Sequence, residues 1–380
     1  THLPRPDPAK KFPCDPPAGR PLRIGYLSSF FQSRNWMKPV WGLVNHHDRR
    51  RFQVYLFSDA AESACDGGYS KQPTDQFFDI SALSNVAAAE RIEACALDVL
   101  VDLNAYSRVS RLAVLALKPA PIQVAWFNLY ATSGMACYDY LVGDEHVVLP
   151  EEEEFYTEKV VRIPGCYLTF EVSYPVPDVV DPPSLAAGSL TFGCLASQYK
   201  MTPQVVEAWS EILNRAPGTR LFLKNSTLGR QANREFLLRR FEQHGVPRER
   251  IAMEGPAEHL DFLAAYGRMD LALDTFPYNG GTTTSEALWQ GVPVLTFRGD
   301  RWAARQSTSI LREGGLEQFV AADLRDYVNR AVALALDPDT PARLAGLRRT
   351  MRSHLAHSPL CDTAALARHM ERLYVGMCEQ

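Results

Sequence analysis

Short apolar runs alternate along this chain with stretches in which apolar residues recur at helical spacing. In the first half, Val86–Ala96 has the three- and four-residue spacing of an amphipathic helix. The apolar runs around it are Leu22–Leu27, Phe52–Phe57, Val99–Leu103, Ile122–Trp126 and Tyr138–Val142. Strands that alternate with helices in this way predict a parallel sheet whose two faces are covered by helices.

The same alternation occupies the second half of the chain. Thr202 and Pro203 are the residue types that favour the N-cap and first turn of a helix. The predicted elements are strand Leu190–Leu195, helix Pro203–Asn214, strand Arg220–Leu223, helix Ala232–His244, strand Ile251–Met253, helix Ala257–Tyr266, strand Leu271–Asp274, a helix opening near Thr284, and strand Pro293–Phe297. The fold class predicted is therefore α/β with two doubly wound, Rossmann-like domains. Ligands of such sheets bind at the carboxyl ends of strands, here in the cleft between domains.

A cluster of prolines separates the two halves, and it predicts a linker because proline removes a backbone donor and fixes φ. We expect a proline-rich tail at 1–21 and a first Rossmann-like domain at 22–170. The linker is placed at 171–189. A second Rossmann-like domain is placed at 190–380 and includes the C-terminal helix.

Composition narrows the function classes. Hydrophobic residues make up 46% of the 380 residues and charged residues 22%, as in globular proteins, and the net charge of −4 provides no field to gather nucleic acid or an anionic membrane. No window approaches the roughly 18 consecutive apolar residues of a membrane span. The eight cysteines form no C-x-x-C pair, so neither a zinc site nor a disulfide framework is indicated. We expect a cytoplasmic protein that binds neither nucleic acid nor membrane.

The strongest local signal is the segment 274–286, with the sequence DTFPYNGGTTTSE. Gly280 and Gly281 form a turn between an apolar strand and a hydroxyl-rich helix start. Glycine lets the backbone approach a ligand, and free N–H groups with the helix dipole favour a phosphate there. Thr282 and Thr283 add hydroxyl donors. A simple capped turn would give the same local pattern, and the lack of a lysine after the glycines excludes a P-loop.

Other positions carry weaker signals. Lys200 follows the first strand of the second domain, where a cation would stabilise a departing diphosphate, although most lysines are solvated surface residues. Glu286, in the first turn of the helix, is placed to hold ribose hydroxyls. The segment 126–134 combines aromatic and small polar residues, which suit a sugar but also fit a core tryptophan followed by a loop. His259 at a helix start is either a surface residue or one that stacks on a base.

Five segments together resemble the catalytic region of the O-GlcNAc transferase family, which also includes the plant SPINDLY-type fucosyltransferases and many bacterial members. They are LRIGYLSS, KPAPIQVAWFNLYATSG, YDYLVGDEHVVLP, FGCLASQYKMTPQVVEAWSEILNRAPGTRLFLK and LDTFPYNGGTTTSEALWQGVPVLTF. The resemblance runs in order from about Leu22 to the C-terminus. It implies a GT-B fold, an inverting reaction, a UDP-sugar donor and no metal or other cofactor. It also implies that the domain at 22–170 is on the acceptor side and that the domain at 190–380 binds the nucleotide sugar.

When the functional residues of the family are matched to this sequence one by one, they imply which residues bind the donor. Lys200 matches the lysine that contacts the donor diphosphate, and Thr282 and Thr283 match paired threonines at the same pyrophosphate. Glu286 matches the acidic residue on the ribose, and His259 matches a histidine beside the uracil.

The resemblance also places Phe127 and Asn128 in the loop that lines the sugar pocket. Arg34 and Lys38 follow the first strand and are expected to face the same pocket, as is Tyr106 after the third strand of that domain. Arg34 stands where many relatives have a histidine considered as a base, and arginine cannot be one because its pKa exceeds 12.

Two more positions depart from the family pattern. Ala105-Tyr106 replaces a Gly-His pair of many bacterial relatives, and Gly281 replaces a histidine of animal members. The general base therefore stays unassigned, and proton transfer through the donor phosphate or a water chain would tolerate all of these changes.

The expected function is inverting, metal-independent transfer of a sugar, GlcNAc, from a UDP-sugar to serine or threonine hydroxyls of a protein. One alternative uses UDP-glucose or GDP-fucose in the same cleft. Another is a catalytically degenerate nucleotide-binding module, suggested by Arg34 and Tyr106. A third alternative, a nucleotide-sugar epimerase of the same architecture, is disfavoured because it would need acidic residues at the sugar ring. Relatives usually recognise the acceptor through helical repeats. The sequence shows no internal repeat of 20–50 residues, so it does not indicate which acceptor is recognised.

Overall fold

The computed structural model describes residues 19–32, 37–64, 68–107 and 110–379. The chain forms two compact units: one contains the residues up to Glu171 together with those from Cys361 onward, and the other is Val172–Leu360. Arg34, assigned above to the sugar pocket, lies outside the described residues.

A parallel sheet forms the centre of the first unit, with the strand order β3-β2-β1-β4-β5-β6-β7. The strands are β1 Leu22–Ser28, β2 Phe52–Ser58, β3 Gln76–Asp79, β4 Val99–Asp102, β5 Ile122–Ala125, β6 Tyr140–Asp144 and β7 Lys159–Ile163. Since β1 pairs in parallel with both β2 and β4, the strand order reverses at β1, and the sheet is doubly wound. The five predicted apolar runs of the first half correspond to β1, β2, β4, β5 and β6, whereas β3 and β7 were not predicted.

Three helices of the first unit connect its strands: α1 Lys38–His46, α2 Asn85–Glu93 and α3 Leu112–Ala116. The predicted helix Val86–Ala96 is α2, which begins where the Ser84 hydroxyl accepts a hydrogen bond from the Ala87 N–H at 3.2 Å. Its buried residues, Ala88, Ala89 and Ile92, recur at helical spacing.

The second unit is built on another parallel sheet, with the strand order β10-β9-β8-β11-β12-β13. Its strands are β8 Thr191–Cys194, β9 Arg220–Lys224, β10 Ile251–Glu254, β11 Leu271–Leu273, β12 Val294–Phe297 and β13 Val320–Ala321. The strand order reverses at β8, which pairs with β9 and β11. The predicted α/β class with two doubly wound sheets is confirmed.

The helices of the second unit are α4 Ser184–Ala187, α5 Pro203–Arg215, α6 Gln231–Gln243, α7 His259–Ala264, α8 Thr282–Trp289, α9 Gln306–Glu313, α10 Leu324–Leu336 and α11 Thr340–Ala356. The four predicted helices correspond to α5, α6, α7 and α8, whereas α4, α9, α10 and α11 were not predicted. Thr202 caps α5 as predicted, because its side chain accepts from the Val205 N–H at 3.3 Å. Among the helices described, none is both long enough and apolar enough to cross a lipid bilayer.

The segment expected to be a linker is packed onto the second unit. The Ser184 N–H donates to the Asp270 carboxylate at 3.0 Å, and the buried Arg348 guanidinium donates to the Val180 carbonyl at 3.1 Å. Proline-rich composition indicates the absence of regular hydrogen-bonded structure, but it does not exclude hydrogen bonding to side chains of a neighbouring domain.

The C-terminal helix, α12 Thr363–Cys378, belongs to the first unit and not to the second domain, where the sequence analysis placed it. Glu371 accepts from His47 Nδ1 at 3.0 Å and from the Asp48 N–H at 2.8 Å. The other ring nitrogen of His47 is 2.6 Å from the Tyr26 hydroxyl, which is 3.2 Å from the Tyr374 hydroxyl. Helical periodicity shows that α12 has a buried face but not which sheet covers it.

We expect Glu371→Ala to lower the free energy of unfolding by about 1–3 kcal/mol, because His47 and the Asp48 N–H lose a buried acceptor. Arg372→Ala, an exposed change on the same helix, is the control and should stay within about 0.5 kcal/mol of the parent. Urea unfolding of the three proteins checks this expectation. Equal midpoints for all three would mean that these hydrogen bonds do not hold α12 on the first unit.

Candidate functional site

A buried carboxylate organises the carboxyl end of the sheet in the second unit. Asp274 directly follows β11, and one of its oxygens accepts from the Thr275 and Gly280 N–H groups, both at 2.9 Å. The other oxygen accepts from the Thr296 hydroxyl at 2.8 Å. Burial raises the pKa of Asp274, against these hydrogen bonds. The carboxylate therefore ties together the two ends of the loop 275–280.

The interior of this loop is held by its own side chains. The buried Asn279 donates from its side-chain amide to the Thr275 carbonyl at 2.8 Å and from its backbone to the Ala303 carbonyl at 2.8 Å. The Thr275 hydroxyl donates to the Tyr278 carbonyl at 2.7 Å. The loop is thus stabilised by hydrogen bonds along its length.

The start of α8 has the features that the sequence predicted for an anion site. A Cβ on Gly280 would lie 2.8 Å from the Thr283 hydroxyl oxygen and closer still to that of Thr284, so only glycine fits there. Gly281 precedes the helix and supplies no side-chain cap to it. Backbone N–H groups at such a helix start, with the helix dipole, favour a negatively charged ligand. Thr282 and Thr283 are half-buried at this position.

The structure brings Lys200 to the same loop. It ends a short turn after β8, and its ammonium group donates to the Asn279 carbonyl at 2.5 Å. The same nitrogen lies 3.6 Å from the centroid of the Tyr278 ring. Burial lowers the pKa of Lys200 to about 8, although Asp274 attracts the charged form. A cation is therefore present at this end of the sheet below about pH 8.

Tyr174, which the sequence analysis did not single out, packs against His259 and is affected by the charge of Glu286. The Tyr174 ring is 5.5 Å from the His259 ring, tilted by 50°. Burial raises the pKa of Tyr174, and the charge of Glu286 raises it further. Glu286 is itself buried on α8. In the sequence, Tyr174 is an aromatic residue within a proline-rich segment. Such a segment has no helix or strand periodicity, so the sequence does not show which way the Tyr174 side chain points.

Tyr266 is a second tyrosine at this end of the sheet with no predicted role. Its hydroxyl donates to the Thr283 carbonyl at 2.9 Å. Burial raises its pKa well above the ordinary value, and Glu286 adds to the effect. It therefore stays neutral and fixes the first turn of α8.

The residues predicted for the sugar pocket, Arg34 aside, lie in the first unit. Phe127, just after β5, is buried with φ of +79°, a left-handed conformation that is strained for a bulky side chain. The Asn128 amide donates to the Asn104 carbonyl at 3.1 Å, which joins the ends of β5 and β4. Trp126 is a core residue whose indole N–H donates to the Tyr167 carbonyl at 3.1 Å.

Tyr106 and Lys38 have structural partners of their own. The Tyr106 hydroxyl donates to the Ser133 carbonyl, while 58% of the residue remains exposed. Burial raises its pKa. Lys38 is buried at the start of α1, with its ammonium nitrogen 5.9 Å from the centroid of the Phe170 ring.

The sequence of this chain matches Glycosyl transferase family 41 over residues 7–175 and 183–370. It is 31% identical over 364 residues to a probable UDP-N-acetylglucosamine–peptide N-acetylglucosaminyltransferase SPINDLY of Solanum lycopersicum. That alignment covers 94% of this chain and 39% of the relative, so the chain spans about two fifths of the relative's length.

Solved structures are also similar to this chain. A mutant of the Thermobaculum terrenum O-GlcNAc transferase superposes with a TM-score of 0.88 at 34% sequence identity, covering 99% of this chain and 71% of that one. Sucrose-phosphate synthase from Thermosynechococcus elongatus has a TM-score of 0.56 at 14% identity, covering 94% of this chain and 99% of that one. The second likeness shows the fold alone, and together the two confirm the GT-B fold class.

We expect the UDP affinity of the parent, divided by that of Lys200→Arg, to be nearly constant below about pH 7 and to fall by up to about tenfold per pH unit above pH 8. A bound diphosphate favours the charged form of Lys200, so binding above its free pKa of about 8 must take up a proton. Lys200→Arg stays charged throughout this range. Because the parent and this variant bind the same ligand, the protonation of UDP itself cancels in the ratio of their affinities. Calorimetric titrations from pH 6.5 to 9.5 measure the ratio of the two affinities. A ratio that does not change with pH would show that Lys200 does not contact the bound diphosphate.

Proposed function

The chain belongs to glycosyl transferase family 41, and from this we propose that it transfers N-acetylglucosamine from UDP-N-acetylglucosamine to serine or threonine hydroxyls of a protein. The observation that carries the proposal is the position of Lys200 beside an uncapped helix start, where the loop carbonyl of Asn279 accepts from its ammonium group. The names of the relatives support the donor and the peptide acceptor.

The proposed reaction is inverting. The acceptor hydroxyl attacks the anomeric carbon in line, a new glycosidic bond forms, and the bond to the β-phosphate breaks so that UDP leaves with the electron pair. Negative charge grows on the departing diphosphate. Lys200, the N–H groups at the start of α8 and the hydroxyls of Thr282 and Thr283 stabilise it, and prearranged donors of this kind account for much of the rate of such reactions.

We propose that the reaction needs no metal, because Lys200 and the positive end of the α8 dipole supply the charge that a divalent cation provides elsewhere. The buried Glu286 accepts from the ribose hydroxyls. His259, with Tyr174 packed against its ring, contacts the uracil. Phe127 and Asn128 are the residues that we assign to the sugar.

The proton of the acceptor hydroxyl passes to a phosphate oxygen of the donor or along a chain of water molecules. Arg34 cannot accept it at any working pH. Tyr106 is a poor candidate as well, since its hydroxyl already donates to the Ser133 carbonyl and burial raises its pKa.

A donor panel tests the function. The protein is incubated in EDTA with UDP-GlcNAc, UDP-glucose or GDP-fucose, with a serine- and threonine-containing peptide library and without acceptor. Nucleotide release and peptide mass are measured. We expect release and a HexNAc mass increment with UDP-GlcNAc, and a loss in kcat on the order of 10²-fold for Lys200→Ala, larger than its loss of UDP affinity.

Other outcomes of the donor panel separate the rivals. A mass increment with only UDP-glucose or GDP-fucose would keep the enzyme but change its donor. Activity that EDTA abolishes and a divalent metal restores would contradict the metal-free mechanism. Nucleotide binding without hydrolysis or transfer from any donor would replace the enzyme by a binding module.

We expect Glu286→Ala to weaken UDP binding by roughly 1–3 kcal/mol, because the ribose hydroxyls lose a buried charged acceptor. The matched control is Glu207→Ala, which removes the same charge from an exposed position on α5. Repeating the titrations with 2′,3′-dideoxy-UDP isolates the contact, since a ligand without those hydroxyls should bind equally to the parent and the Glu286 variant. An equal loss with both ligands would move Glu286 to a structural role in α8.

A further inference from the structure

The ring of Tyr278 faces the ammonium group of Lys200. The nitrogen lies 3.6 Å from the ring centroid, within the distance at which a cation is attracted to the negative face of an aromatic ring. The next residue of the same loop, Asn279, accepts a hydrogen bond from that nitrogen at 2.5 Å. Two consecutive loop residues therefore hold one cation, one through a ring and the other through a carbonyl.

We propose that Tyr278 is a positioning residue for Lys200, which keeps the ammonium group charged and fixed beside the start of α8 before the donor arrives. The inference rests on the proposed function only in that Lys200 serves the donor diphosphate. The contact itself belongs to the protein without ligand.

Lys200 needs such a partner because burial disfavours its charged form. Among the described residues, two other titratable groups act on it. Asp274 attracts the ammonium group, but its oxygens already accept from N–H and hydroxyl donors of the loop and of β12. Burial raises the pKa of the Cys194 thiol to about 12, so this group is neutral at working pH. The ring and the Asn279 carbonyl are thus the close contacts that favour the cation.

A ring suits this task because it leaves hydrogen-bond donors unused. An ammonium group has three N–H donors, of which the Asn279 carbonyl takes one. The face of Tyr278 attracts the charge as a whole and does not require a directed hydrogen bond. Within the part of the chain that the structure describes, two donors consequently remain for phosphate oxygens. A carboxylate at the same position would neutralise Lys200 and repel the diphosphate.

The backbone of Tyr278 is held within its loop, because its carbonyl accepts from the Thr275 hydroxyl at 2.7 Å. The Tyr199 ring, on the turn that carries Lys200, lies 6.3 Å from the Tyr278 ring at a tilt of 44°, and Tyr199 itself is exposed. The loop hydrogen bond therefore fixes the backbone from which the ring extends, and Tyr199 is a neighbour of the ring on the turn that carries Lys200.

Nuclear magnetic resonance of the ligand-free protein tests the proposal directly. The chain has eight lysines, so lysine labelled with ¹³C at the ε-carbon gives a countable set of signals, and Lys200→Arg identifies the one from Lys200. We expect Tyr278→Phe, which keeps the ring, to leave the titration midpoint of Lys200 unchanged. Tyr278→Leu should lower it by about one pH unit, the equivalent of a partly desolvated cation–π contact.

A second measurement connects the contact to binding. The pH above which UDP affinity falls should move down by the same amount in Tyr278→Leu and stay in place in Tyr278→Phe. With Lys200→Arg in the same backgrounds, the difference in pH dependence should disappear. A residue that only stabilised the loop would change affinity at every pH without moving the midpoint.

The proposal is overturned if the midpoint is unchanged in both variants, or if both shift it equally, since the ring would then not be responsible. Thermal melting checks that the variants fold, and Tyr278→Met replaces the leucine variant if that one does not. The NMR titration uses no donor, so its result does not depend on the transfer assay. Failure of sugar transfer with every nucleotide sugar would contradict the proposed function but not the role of Tyr278 toward Lys200.

Discussion

The hydrogen-bonded carboxylate of Asp274 is the constraint on which the site in the second unit depends. A buried charge is costly unless hydrogen bonds satisfy it, and here the donors are the N–H groups at both ends of the loop and the Thr296 hydroxyl. The backbone carbonyl of Asp274 accepts from the Tyr327 hydroxyl at 3.1 Å, which ties the same point to α10. These hydrogen bonds stabilise the loop in the conformation that places Tyr278 and Asn279 beside Lys200.

In the first unit, too, aspartates at the carboxyl ends of strands accept hydrogen bonds from the loops that follow them. Asp102, the last residue of β4, accepts from the Asn104 and Ala105 N–H groups at 3.0 and 2.9 Å and from the Tyr138 hydroxyl at 2.7 Å. Asp144, the last residue of β6, also accepts from backbone N–H groups of the segment that follows it. A carboxylate at a strand end can satisfy the N–H groups that the sheet leaves unpaired, and it fixes the turn that carries the next side chain. The left-handed backbone of Ala105 is held in this way.

Sequence reasoning was most successful where local periodicity decides the structure, as in α2 and α5, and where parallel strands bring their carboxyl ends to one edge. That rule is sufficient to bring Lys200 to the glycine loop. It could not find the contact between Glu371 and His47, which are 324 residues apart, because periodicity shows that a helix is amphipathic and not which sheet it covers. It also gave Asp274 no role, since a strand-ending aspartate is ordinary and only the folded loop shows what it binds.

A compact cation suits the two contacts that Lys200 makes, one with the Tyr278 ring and one with the Asn279 carbonyl. An arginine would keep its charge at any pH, but its planar guanidinium is wider and presents five donors in a rigid fork. An ammonium group is compact enough to make one carbonyl contact and one ring contact and still direct donors elsewhere. The compact ammonium group of Lys200 also loses more hydration on burial than a guanidinium would. Burial therefore lowers the pKa of Lys200 toward neutrality. The aromatic ring offsets part of that loss, so the ring and the lysine are best understood as one functional unit.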